Sequence, residues 1–80
     1  MEDKELIEQY KKIIKEYKDI EEDFKSINSK MNEGNLNAEQ RSEFYEDLKY
    51  DREKISRLTD VINILEKNSV IVEYNKRNSI

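Results

Sequence analysis

A stripe of apolar side chains between Leu6 and Met31 constrains this chain more than any other feature. Leu6, Tyr10, Ile13, Tyr17, Ile20, Phe24, Ile27 and Met31 follow one another in steps of 4, 3, 4, 3, 4, 3 and 4. That alternation keeps them on one line of a helix, the heptad pattern of helix-on-helix packing. No glycine or proline interrupts the stretch, so a continuous rod of roughly 38 Å follows from about 1.5 Å of rise per residue. The spacing predicts helix 1 over about 3–33. Glu2, Asp3 and Glu5 put negative charge at its start, where the helix dipole favours it.

Asn32-Glu33-Gly34-Asn35 reads as the stop, because Gly34 can take the left-handed conformation that ends helices. Asn37 then reads as an N-cap, with Gln40 at capping-box spacing. The turn is 34–37 and helix 2 runs from about 38 to 67. Its seam is Phe44, Leu48, Ile55, Leu58, Ile62 and Leu65. Two matched seams joined so tightly fold back antiparallel. The expected fold is all-α, a helical hairpin with a coiled-coil-like seam in a single domain, residues 1–80. Asp51 breaks the seam between Leu48 and Ile55. Either the seam opens there and the carboxylate is wet, or Asp51 makes a buried polar contact that fixes register, with Tyr17 as donor.

A lone pair of helices leaves Ile7, Ile14, Tyr45, Val61 and Ile64 beside the seam. Fully burying each is worth roughly 1.5–3 kcal/mol, so leaving them wet forfeits more than a small domain's net stability. The sequence therefore predicts a homodimer, two hairpins packed into a four-helix bundle through Ile7, Ile14, Val61 and Ile64, with Tyr45 peripheral. The competing outcome is a C-terminal arm that covers its own hairpin. That arm, 68–80, contains Val70-Ile71-Val72-Glu73-Tyr74, whose β-branched composition is strand-like with no partner strand in the chain. It continues the helix irregularly, packs back as an extended arm, or adds as a strand to another chain. Val70, Ile71, Val72 and Tyr74 are the candidate partner-binding residues there, and 75–80 are expected to fray.

Composition narrows the chemistry. With no Cys, no His and one Gly, the chain lacks thiolates, the commonest metal ligand and general base, and any glycine-rich phosphate loop. The expectation is no enzyme, no cofactor and no metal. Nineteen acidic and fifteen basic residues are interleaved throughout, giving net charge −4. Lys11, Lys12, Lys15 and Lys18 form the densest basic cluster, but Glu8, Glu16, Asp19 and Glu22 surround it. Direct nucleic-acid or membrane binding, which needs a basic face, is not expected. The polar N-terminus is unlike a signal peptide, so a cytoplasmic protein is expected. Lys, Asn, Ile and Glu dominate over Ala, Gly and Pro, as AT-rich coding in a low-GC bacterium or its phages would give.

Length and hairpin plan resemble the small secreted WXG100-type proteins, whose helices join at a Trp-x-Gly turn. Here the turn is Asn32-Glu33-Gly34 and Trp is absent, so no functional residue carries over. The expected function is a protein–protein interaction module: an adaptor, regulator or inhibitor, such as a phage product acting on a host defence protein. The alternatives are an acidic DNA mimic, motivated by Glu21-Glu22-Asp23 and Glu46-Asp47, and a scaffolding piece of a larger assembly.

Overall fold

The computed structural model describes residues 2–78, with side chains from residue 3. Among them every element is helical: α1 (Glu2–Asn32), α2 (Ala38–Leu65) and α3 (Ser69–Asn78). Gly34 ends α1's turn with φ +79, and a Cβ built there meets nothing within 4 Å. Glycine is needed for its backbone and not for space. The Asn37 side chain accepts from the Gln40 N–H at 2.8 Å, and the Gln40 side chain accepts from the Asn37 N–H at 3.1 Å. This capping box starts α2.

Contacts between α1 and α2 run in opposite directions along the two chains. Tyr10 meets Glu66 just past the end of α2, Glu16 meets Lys54, and the Phe24 ring faces Arg52. Numbers rise on α1 as they fall on α2, so the helices pack antiparallel. Tyr10, Ile27, Leu48 and Ile62 are buried, and every other residue of the two apolar stripes is half-buried. On the charged exterior, Glu21 and Lys25 close to 3.7 Å, and Lys11 pairs with Glu8 at 3.8 Å.

Residues 69–78 are helical after a short break, and not the extended arm or strand of the other two expectations. They form a separate short helix that packs on α1. The turn is set by backbone bonds from Lys67 to Ile64 and from Asn68 to Leu65. Asn68 then caps the new helix: its Oδ1 accepts from the Val70 N–H at 2.9 Å and its carbonyl from the Val72 N–H at 2.9 Å. Strand propensity in Val70-Ile71-Val72 loses because helix places Ile71 and Tyr74 on one face, where Ile71 becomes fully buried. The helix also orders Asn75 to Asn78, which were expected to fray; Ser79 and Ile80 lie outside the described residues.

α3 runs alongside α1 in the same direction. Its first turn shares a groove with Asp3 and Ile7, and its last shares one with Ile14, Lys15 and Lys18. The molecule, 52 × 24 × 17 Å, therefore has a three-helix end around Tyr10, Ile62 and Ile71 and a two-helix end holding Ile27, Leu48 and Asp51. No helix among the described residues is long and apolar enough to cross a membrane.

Candidate interaction surface

Tyr10 anchors the three-helix end. Its hydroxyl donates to Glu66 Oε2 at 2.9 Å and accepts from Asn75 Nδ2 at 3.2 Å, so one phenol links all three segments. The Tyr74 ring meets it edge-on at 6.3 Å, and Lys11 Nζ lies 5.5 Å from the Tyr74 centroid. Burial first, and the Glu66 carboxylate with it, raise the Tyr10 phenol above 10 against the bond from Asn75. It stays protonated and donating.

The four residues expected to form one self-association patch are not brought together. Ile7 and Ile14 are half-buried against the core and border α3. Val61 and Ile64, on α2, are 40% and 69% exposed. The chain's own third helix borders Ile7 and Ile14, two of the four residues a partner was expected to cover. Of the arm residues, Ile71 is buried, Val70 and Tyr74 are half-buried, and Val72 alone is exposed. Most of their apolar surface is already used inside the molecule.

α3 occupies one flank of the helix pair, above the Ile7, Lys11, Ile14, Lys18 column of α1. On the opposite flank Glu16 pairs with Lys54 at 3.1 Å, and the Asp23 and Asp51 carboxyls meet. Tyr50, Lys54, Arg57 and Leu58 line a shallow cleft there. Val61 and Ile64 lie seven residues beyond Lys54 and Arg57, two turns further along the same columns. Tyr50 is 62% exposed, and the sequence reading passed over it. Its signal was a second heptad run, Tyr50, Lys54, Arg57, Val61 and Ile64, outside the main seam. Tyr45, also exposed, lies elsewhere on α2.

Asp51 is 6% exposed, so the seam does not open at this position. Nor does Tyr17 serve it: Asp51 Oδ2 has no hydrogen-bond partner among the described residues. The group it faces is Asp23, one helical turn past Ile20. Burial first, then the neighbouring Asp23 carboxyl and the Asp23 and Asp47 charges, raise Asp51 to about 6, against the pull of Lys54. No group of three His, Cys, Asp or Glu able to hold a metal ion occurs among the described residues.

No family model matches this chain, and comparisons with curated proteins and with solved structures find no match.

Proposed function

We propose that the chain is a helical hairpin, clasped at its open end by α3, that dimerises into a four-helix bundle and works as a non-enzymatic protein-interaction module. Its role is that of an adaptor, regulator or inhibitor of a protein partner. One observation carries this reading: the flank without α3 leaves Tyr50, Val61 and Ile64 in water, with Tyr50 sharing a cleft with half-buried Leu58. Exposed large apolar side chains gathered on one side mark association surfaces. The residues assigned to self-association are therefore Tyr50, Val61 and Ile64, with Ile7 and Ile14 replaced because α3 borders them. A scaffolding role would use the same surface.

The DNA-mimic reading draws on the Asp23, Asp47 and Asp51 carboxylates, which interact on this flank. Lys54 and Arg57 beside them dilute the field a mimic needs.

Sedimentation equilibrium tests the dimer. The wild type is expected at twice 9.7 kDa, and Val61→Glu with Ile64→Glu at the monomer mass. A wild-type mass near 9.7 kDa at tens of micromolar would end the dimer. Capture from a bacterial lysate with both proteins tests the partner role. Binding lost in the double variant but insensitive to salt is expected, whereas steep salt dependence with DNA competition would install the mimic instead.

A further inference from the structure

A groove of about 640 Å³ opens between α1 and α2 beside the Gly34 turn, and it shares no residue with the Tyr50–Ile64 flank. α2 contributes Arg41, Tyr45, Lys49 and Arg52; α1 contributes the amides of Asn28 and Asn32. Two of the chain's four arginines are here. Three lysines elsewhere have carboxylate partners: Lys11 has Glu8, Lys25 has Glu21 and Lys54 has Glu16. Arg41 and Arg52 have no acidic residue three or four positions away in either direction. Neither they nor Lys49 form an ion pair among the described residues. Glu46 is the single carboxylate in the lining, leaving two net positive charges in a chain of net charge −4.

The fold itself accounts for only part of this. Carbonyls at the end of α1 attract Arg41, but Arg52 sits roughly 16 Å further along α2 at about 1.5 Å per residue. Its guanidinium is held 5.9 Å from the Phe24 centroid, which orients it without neutralising it. The lysines beside α3 differ: Lys11 has Glu8 and Tyr74, and Lys15 and Lys18 border the C-terminal end of α3, whose dipole favours cations.

We propose that the turn-end groove binds a small, extended polyanion carrying phosphate groups, of the size and chemistry of a nucleoside diphosphate. Guanidinium forks match phosphate oxygens bidentately, and Lys49 adds a point charge between them. The exposed Tyr45 ring offers a face on which a planar base stacks. The Asn28 and Asn32 amides supply donors and acceptors for its edge. The volume falls within the range of small-molecule sites.

Amide-resolved NMR titration of the full chain at low salt, with ADP, pyrophosphate and citrate, tests the site. ADP is expected to give saturable shifts at Arg41, Tyr45 and Arg52. Arg41→Gln and Lys49→Gln, both at exposed positions, are each expected to weaken it about tenfold or more. Tyr45→Ala is expected to weaken ADP while leaving pyrophosphate unchanged. Absence of saturation by about 10 mM ADP overturns the proposal, and so does citrate binding as tightly as pyrophosphate. Variants that keep the wild-type helix signal and bind ADP undiminished would also overturn it.

Discussion

The two ends of this molecule are built from the same pair of helices and differ by one added element. Around Tyr10, three helices enclose the fully buried Ile71, and the phenol both donates and accepts a hydrogen bond. Near the turn, two helices meet along Ile27 and Leu48, and Asp51 Oδ2, shut off from water, goes without a partner among the described residues. A third helix brings Asn75 to the polar atom on α1, where the two-helix seam offers Asp51 only another carboxylate. The lesson concerns geometry: a seam between two helices excludes water from one line of atoms but surrounds none of them with donors.

Removing the added element's anchor should have the largest effect. Ile71→Ala is expected to cost about 2–5 kcal/mol by urea denaturation, as large-to-small changes at fully buried sites do. Loss below 1 kcal/mol on that scale would mean α3 contributes little. Asp51→Asn tests the other end with opposite sign. With a folded pKa of about 6 against 3.8 unfolded, the native state holds the proton more tightly. This group's contribution is therefore greatest below about pH 4 and declines as pH rises to about 6, after which the penalty is constant. Asp51→Asn should stabilise by about 1–3 kcal/mol at pH 7 and remove that slope from thermal melts between pH 4 and 6. A wild type with no such slope refutes the burial of the Asp51 carboxylate.

Smaller effects distinguish the connections at each end. Gly34→Ala should cost about 1 kcal/mol, entirely through its positive φ, since its Cβ meets no atom. Asn68→Ala and Asn37→Ala should each cost about 0.5–1 kcal/mol as lost caps. Hydrogen exchange separates the two caps. Asn68→Ala should loosen α3 amides alone, and Asn37→Ala the first turn of α2.

Much of this architecture is legible in the sequence. The apolar periods of α1 and α2, the Gly34 stop and the Asn37–Gln40 box are local patterns with local causes. The third helix was hidden because Val70-Ile71-Val72 masks its period with strand-forming residues. Only the tertiary burial of Ile71 decides between them, although Asn68 carried a cap signal. Asp51 stood out as a seam exception, but its neighbour depends on side-chain placement that period does not specify. Arg41, Lys49 and Arg52 look scattered along the sequence, and become one cationic groove only where two helices meet.

Tyr10's bonds to Glu66 and Asn75 close loops of 56 and 65 residues. Contact of Phe24 with Arg52 spans 28. Loop-closure entropy makes the 65-residue contact costlier than the 28-residue one by about 0.7 kcal/mol, so pairing is expected to start at the turn and α3 to dock last. The best-packed end is then the last to assemble, on a template laid down by the worse-packed one. Ile71→Val should speed unfolding and leave the refolding rate nearly unchanged, which a chevron plot reads directly.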